Sequence, residues 1–250
     1  MNEQKKIHHI FWTGGMDSTA RLIKVLLTTK ETVQPHFVIR HEECTGHEIN
    51  AQNNVRRAFG RKYPELKSKL LPTAYTNVDL IPRSKEVEAQ IRKIEEKVVV
   101  YAQYHILADY CHAFDIDQVD IVFERDEDYD PSKPYISDYF EVADPFKSFR
   151  IAHGDHTKQS AYNMAKEEGW DDLLKMTSFC RRPGKRGRPC GTCGPCNDTV
   201  REGLGFRLTF TARMKARILI PFREFYRKNY DKRNSHWLFR TITRLFVKRF

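Results

Sequence analysis

The chain has 250 residues, of which 40% are hydrophobic and 30% are charged, and its formal net charge is +10. This length and apolar content suit one large α/β domain with an appendage, and they exclude a chain that is disordered throughout. The sequence has no apolar stretch long enough to span a membrane and no recognisable signal peptide, so we expect a cytoplasmic protein.

The chain begins with the pattern of a strand, a glycine turn and a helix. Residues 7–12 form an apolar run, Thr-Gly-Gly-Met-Asp-Ser-Thr follows at 13–19, and apolar residues recur with helical spacing at 22–27. Two adjacent glycines allow unusual backbone conformations and bring amide groups close to a bound anion, usually a phosphate. The Walker and G-x-G-x-x-G patterns are both absent. The segment therefore predicts a phosphate-binding loop, and a purely structural turn is the alternative.

The following segments predict strands that alternate with helices. Strands are expected at 34–40 and 119–123, with a weak one at 70–71, and helices at 48–61 and throughout 84–114. This order predicts an α/β fold with a doubly wound, mostly parallel sheet and helices on both faces. Ligands bind such sheets beyond the carboxyl ends of the strands, where the glycine loop would lie. The acidic run at 124–133 is interpreted as a solvated surface rather than a metal site.

Four cysteines are clustered near the end of this body, at Cys180, Cys190, Cys193 and Cys196. Glycine and proline between them favour tight turns that bring four thiolates to one tetrahedral Zn²⁺. An iron–sulfur cluster and redox-active thiols are the alternatives, and disulfides are disfavoured in a protein without an export signal. We expect a structural zinc site at 180–196.

The basic excess of the chain lies entirely in residues 206–250, which contain 13 Lys or Arg and two acidic residues. We therefore predict a domain over 1–205, including the cysteines, and a basic helical tail over 206–250 that Pro221 splits into at least two helices. Arg240, Arg244 and Lys248 would lie on one face of an amphipathic helix. Three interpretations stay open: docking on the domain or on a second subunit, contact with an anionic membrane surface, or binding of RNA.

The loop at 13–19 resembles the S-G-G-x-D-S loop of the PP-loop ATP pyrophosphatase superfamily, with Thr13 in place of the serine. Together with the cysteine spacing and the Thr157-Lys158 segment, it resembles the 7-cyano-7-deazaguanine synthase family of queuosine precursor biosynthesis, over residues 7 to about 207. The resemblance implies a ligase that uses ATP to activate the carboxylate of 7-carboxy-7-deazaguanine. Amide formation and a second activation would then give a nitrile.

The resemblance also implies roles for individual residues. The pyrophosphate and its Mg²⁺ would be held by Thr13, Gly14, Gly15, Asp17 and Ser18, with Thr19 close by. Val38 and Arg40 would lie near the nucleotide at the end of the second strand. Lys158 is the candidate for stabilising negative charge on the phosphates or the carboxylate, which makes Asp17, Ser18 and Lys158 the candidate catalytic residues.

The chain departs from this family in two regions. An Arg-Asn pair and a Tyr-Pro-Asp-Cys-Arg stretch are expected, but residues 96–100 read Glu-Lys-Val-Val-Val and residues 127–131 read Glu-Asp-Tyr-Asp-Pro. We therefore expect adenylation chemistry on 7-carboxy-7-deazaguanine or on a related acid. Two alternatives remain: a tRNA sulfurtransferase that uses Cys44 or Cys111, and a non-catalytic nucleotide-binding module recruited through its tail.

Overall fold

A computed structural model describes residues 6–123, 134–153 and 157–233 of the chain. The chain divides into two compact units, Met1–Ser178 and Phe179–Phe250. The four clustered cysteines thus belong to the second unit, whereas the sequence analysis grouped them with residues 1–205. The acidic run at 124–133, Asp155-His156 and the amphipathic segment at 235–250 lie outside the described residues.

The first unit is built on a five-stranded sheet in which every pairing is parallel. Its strands are β1 (Ile7–Phe11), β2 (Thr32–Ile39), β3 (Ala74–Asn77), β4 (Val119–Phe123) and β5 (Phe149–His153). Their spatial order is β3-β2-β1-β4-β5, so the direction of strand addition reverses at β1. The α/β fold and the parallel sheet are confirmed. A reversal of this kind opens a crevice at the carboxyl ends of the strands.

Eight α-helices are found among the described residues. The first unit contains α1 (Met16–Thr28), α2 (Thr45–Lys62), α3 (Lys85–Glu95), α4 (Ala102–Phe114), α5 (Lys158–Glu167) and α6 (Asp171–Lys175), and the second contains α7 (Gly194–Arg201) and α8 (Phe210–Arg233). Helix α1 is anchored by its apolar face, on which Leu22, Ile23 and Leu26 are fully buried. The helix that begins at the glycine loop is therefore held firmly by the core.

The predicted helix over 84–114 is wrong in one respect, because it is interrupted between α3 and α4. Val98 and Val100 are buried while Val99 and Tyr101 are exposed. This alternation is that of extended chain. Three consecutive β-branched valines also disfavour a helix, so the segment instead inserts every second side chain into the core.

The third strand is also not where the sequence placed it. Leu70 forms only an isolated bridge with Val33, and β3 begins four residues later at Ala74. Leu71 precedes Pro72, which lacks a backbone donor, so pairing with β2 resumes only beyond the proline. Strand β5 was not predicted.

Helix α8 runs continuously through Pro221, so the predicted split at this residue is wrong. A proline removes one backbone hydrogen bond and costs about 3 kcal/mol in a helix interior. The part of α8 before the proline packs through the buried Ala212 and Ala216. This packing stabilises the helix independently of the one missing bond.

A buried ion network joins the beginnings of three strands in the first unit. Asp120 in β4 is fully buried and accepts hydrogen bonds from His8 Nε2 and Arg21 Nε, both at 2.7 Å, and from Arg150 in β5. Burial by itself raises the pKa of Asp120, but the hydrogen bonds from His8 and Arg21 lower it overall. The carboxylate is therefore paired with two arginines and a histidine at the edge of the sheet opposite the glycine loop.

A second pair of polar side chains joins the half-buried His9 of β1 to the buried His36 of β2. His9 Nδ1 and His36 Nε2 are 2.8 Å apart, and His36 Nδ1 lies 2.9 Å from the hydroxyl of Tyr110. Burial, and then the charge of His9, lower the pKa of His36 to about 4. His36 is therefore neutral in the folded protein at neutral pH.

Candidate functional site

The glycine loop lies at the carboxyl end of β1, where the order of the strands reverses. Thr13, Gly14 and Gly15 connect the strand to Met16, the first residue of α1. The carboxyl ends of β2, β4 and β5 share this edge of the sheet because all pairings are parallel. The sequence thus places the loop at the position where ligands bind in doubly wound sheets.

The backbone of the loop requires glycine at its first turn. Gly14 has φ of +75°, and a Cβ there would lie 2.7 Å from the carbonyl oxygen of Glu48 in α2. The Gly14 carbonyl accepts a hydrogen bond of 2.8 Å from the amide of Ser178. The loop is therefore held between α2 and the end of the first unit, with no room for a side chain.

Two hydroxyl groups meet on the loop. Thr13 Oγ1 accepts a hydrogen bond from the Gly15 amide at 3.2 Å and lies 3.3 Å from Ser18 Oγ. Gly15 is the N-cap of α1, and no side chain caps the helix. The first amides of a helix have no partner within the helix and carry a partial positive charge, which favours an anion. Asp17 lies in this first turn and is partly buried.

Thr19, which was expected close to the phosphate site, does not share the exposed side of the loop. Its side chain is fully buried, and its hydroxyl accepts a hydrogen bond of 2.8 Å from the indole of Trp12. Trp12 is itself fully buried. Thr19 therefore anchors α1 to the end of β1, because a Thr side chain one helical position beyond Ser18 turns towards the core.

The other predicted ligand-binding residues lie near the same edge of the sheet. The side chain of Val38 is buried in the core, so only its backbone is available to a nucleotide. Arg40 follows β2, is exposed, and pairs with Glu42 at 3.0 Å. Lys158 is the first residue of α5, which follows β5 and contacts α1. The structure thus places Arg40 and Lys158 after two strands that end where β1 ends.

Sequence reasoning missed a polar stripe on α2 and its N-cap. Gln52 is fully buried, donates to the carbonyl of Trp12 at 2.8 Å and accepts from the hydroxyl of Tyr75 at 2.9 Å. Burial raises the pKa of Glu48, which lies one turn earlier. Cys44, Glu48 and Gln52 are spaced four residues apart, and this period was the signal that could have revealed one helix face beside the loop.

The two cysteines outside the cluster are poorly suited to thiolate chemistry. Burial and the neighbouring Glu48 and Glu42 raise the pKa of Cys44 to about 12, and its sulfur lies 3.6 Å from each carboxylate. Burial, together with Asp117, raises the pKa of Cys111 to about 12. Nucleophilic cysteines need the opposite environment, one that lowers the pKa.

The four clustered cysteines converge on one point in the second unit. Their sulfur atoms all lie within 4.8 Å of one another, and the pairs Cys190–Cys196 and Cys180–Cys193 are each 3.9 Å apart. Four sulfurs placed about 2.3 Å from one zinc ion form a tetrahedron with edges of about 3.8 Å. A disulfide requires about 2.05 Å, and all four thiols are free. The cluster is thus compatible with a metal such as zinc.

Local backbone geometry orients these thiols. The amides of Thr192 and Cys193 each donate to the Cys190 sulfur at 3.3 Å. Burial by itself raises the pKa of Cys190, but the Thr192 hydroxyl and these amides lower it overall, which favours the thiolate. Gly191 has φ of +75°, and a Cβ there would lie 2.2 Å from the carbonyl oxygen of Ala212, so the loop can pack directly on α8.

No family model, curated protein or solved structure matches this chain. Among the described residues, no helix combines the length and apolar content needed to cross a membrane. The functional assignment therefore depends on the two sites themselves.

Proposed function

We propose that this protein is an ATP-dependent ligase that adenylates a carboxylate. The observation that carries the proposal is the position of the Gly14-Gly15 loop, which joins β1 to the uncapped first turn of α1 where the strand order reverses. Backbone amides at such a position bind phosphate groups. The Thr-Gly-Gly-Met-Asp-Ser sequence of this loop resembles that of enzymes that release pyrophosphate from ATP.

The proposed reaction has two displacement steps. A carboxylate oxygen of the acceptor attacks the α phosphorus of ATP, the bond to the bridging oxygen breaks, and pyrophosphate leaves. A nitrogen nucleophile such as ammonia then attacks the acyl carbon, the attacking nitrogen loses a proton, and AMP leaves with the former carboxylate oxygen. If the amide oxygen is adenylated in its turn, loss of AMP and two protons yields a nitrile.

The loop residues supply the groups that the first step needs. Amides at Gly14 and Gly15 would bind phosphate oxygens, and Thr13 and Ser18 would add hydroxyl donors. These groups would replace the contacts that Thr13 Oγ1 now makes with the Gly15 amide and with Ser18. Asp17 would hold Mg²⁺, which neutralises the departing pyrophosphate. Developing charge on the leaving group is best stabilised by such preorganised donors and cations.

Residues after the other strands would complete the site. Val38 precedes the last residue of β2 and Arg40 follows it, so Arg40 and the backbone of Val38 would contact the nucleoside, whereas Lys158 begins α5 after β5. A lysine can act there as a compact positive charge towards the phosphates or the acceptor carboxylate. The resemblance favours 7-carboxy-7-deazaguanine or a related acid as the acceptor.

We further propose that zinc occupies the Cys180, Cys190, Cys193 and Cys196 cluster in a structural role. Four sulfur ligands close the coordination shell, which leaves no open position for a substrate.

The two cysteines outside the cluster favour a ligase over a sulfurtransferase. The pKa values of Cys44 and Cys111 are raised, whereas a cysteine that carries a persulfide must ionise.

The test measures pyrophosphate release from ATP in the presence of 7-carboxy-7-deazaguanine and ammonia, with products identified by mass spectrometry. Asp17→Asn is expected to reduce pyrophosphate release by about a hundredfold or more. Asp117→Asn is the matched control, since Asp117 is an exposed carboxylate at the opposite edge of the sheet. Binding of ATP without pyrophosphate release for a panel of acids would contradict the proposal and favour a non-catalytic nucleotide-binding module.

A further inference from the structure

The second unit contains an open cavity beside the cysteine cluster, with a volume of about 850 Å³. A cavity of this size suits a ligand much larger than one phosphate ion. Its lining combines cations, hydroxyl groups and small residues: Arg182, Gly184, Lys185, Arg186, Arg188, Pro189, Cys190, Thr192, Thr209, Thr211, Ala212 and Lys215.

The cavity has a strong excess of positive charge. Five of the lining residues are Lys or Arg, and none is acidic. Within the described part of the chain, Lys185, Arg186, Arg188 and Lys215 form no ion pair with a carboxylate. Clustered cations repel one another, and an anionic ligand would relieve this repulsion.

The fold brings these cations together from two separate segments. The turn at 184–188 is closed by hydrogen bonds from the Gly184 amide to the Arg188 carbonyl at 2.8 Å and from the Gly187 amide to the Gly184 carbonyl at 3.0 Å. Gly191 packs closely on Ala212, and Lys215, one turn further along α8, lines the same cavity as residues of this turn. The two walls of the cavity are thus held by backbone contacts.

A zinc centre would not balance this charge by itself. Four thiolates and one Zn²⁺ carry a formal charge of about −2, and Cys190 is the one ligand among the lining residues. The four lining cations that form no ion pair, Lys185, Arg186, Arg188 and Lys215, therefore leave an excess of about two positive charges. This excess points to an additional ligand that carries several negative charges.

Two exposed aromatic residues are close in sequence to the residues that line the cavity. Phe210 stands between the lining residues Thr209 and Thr211 and is 75% exposed, and Phe206, four residues earlier, is 47% exposed. Exposed aromatic rings next to a basic groove are the arrangement that binds single-stranded nucleic acids, because bases stack on the rings while cations contact phosphates.

We propose that this basic cavity, together with Phe206 and Phe210, binds single-stranded nucleic acid through its phosphate backbone. The concave placement of the cations favours a strand over a flat bilayer. Two further exposed apolar residues, Met214 and Ile218, follow Phe210 at four-residue spacing, and a membrane would also bury them. Lipid vesicles therefore form a second arm of the test. The inference goes beyond the proposed ligase function, and its test contains no ATP.

The test is a fluorescence-anisotropy titration of the full-length protein with a labelled single-stranded RNA and a single-stranded DNA of about 12 nucleotides, at several salt concentrations. The variant R188A/K215A removes two cations from the cavity walls. The matched control R181A/R217A removes two exposed cations of the same unit that do not line the cavity. Zinc content and circular dichroism verify that both variants are folded.

We expect R188A/K215A to weaken binding by about tenfold or more and to reduce the salt slope by about 1.4, or about 0.7 for each lost phosphate contact. The control should change affinity less than about twofold. Phe210→Ala should weaken binding without changing the salt slope, because it removes stacking alone.

Three results would overturn the proposal. Equal losses in the two double variants would mean that diffuse charge, not the cavity, binds the strand. Complete displacement of the strand by an equimolar amount of inorganic triphosphate would identify a small phosphate ligand instead. Binding of vesicles rich in phosphatidylserine that is lost in R188A/K215A, with no binding of nucleic acid, would identify a membrane surface.

Discussion

The two glycine-containing loops of this protein are stabilised in opposite ways. The loop at Gly14 is held by many neutral contacts, including the Ser178 amide, the Gln52 side chain and the buried face of α1. The loop at Gly191 adjoins a small core in which three of the six buried residues are cysteines. The first loop is thus held rigid by its contacts with a large domain, and we expect a bound metal to hold the second loop rigid.

The largest expected effect tests whether a metal stabilises the loop at Gly191. Cys193→Ser should abolish stoichiometric zinc binding and unfold the second unit, because structural zinc contributes on the order of 10 kcal/mol or more to small metal-binding folds. Metal analysis and thermal unfolding would measure both changes. Cys44→Ser is the matched control and should retain one zinc per chain, since Cys44 lies outside the cluster. Full zinc content and an unchanged melting temperature in Cys193→Ser would refute a structural metal site.

An intermediate effect concerns the first unit and its dependence on pH. The folded-state pKa of His36 is about 4, below the value of about 6.5 expected in the unfolded chain. The unfolded state therefore binds more protons between these values, and stability should fall by up to about 3 kcal/mol as the pH decreases from about 6.5 to about 4. Urea titrations at a series of pH values would measure this slope.

His36→Asn should flatten that slope, and His41→Asn, which replaces an exposed histidine, should leave it unchanged. A slope in His36→Asn as steep as that of the parent protein would contradict a neutral His36 in the folded state.

The smallest expected effect on stability tests the first loop directly. Gly14→Ala would force a side chain into a left-handed backbone conformation and against the Glu48 carbonyl, at a cost of about 1–3 kcal/mol. Calorimetry should at the same time detect weaker ATP binding, since the loop must shift. Gly46→Ala is the matched control, because a Cβ there meets nothing within 4 Å. Wild-type stability and ATP affinity in Gly14→Ala would show that the loop does not need its observed conformation.

Much of the fold was predictable because its signals are local. The apolar run of β1, the glycine turn, the amphipathic α1 and the strand at 119–123 each lie within a few residues of chain, and all were confirmed. The cysteine spacing likewise predicted a cluster that the structure assembles. The break at Val98–Tyr101 and the shift of the third strand beyond Pro72 were missed, although three consecutive valines and the proline are local signals that favour both.

The sequence by itself determined the glycine turn between β1 and α1, the four metal-ligand candidates and the alternation of strands and helices. Tertiary structure decided that Thr19 faces Trp12 instead of the loop opening, that Gln52 holds the loop from α2, and that the cysteines fold with the second unit. It also brought Lys215 and residues of the 184–188 turn to the lining of one cavity. The physical reason is one of range: backbone preferences and ligand spacing act between chain neighbours, whereas burial and charge clustering depend on residues that only folding brings into contact.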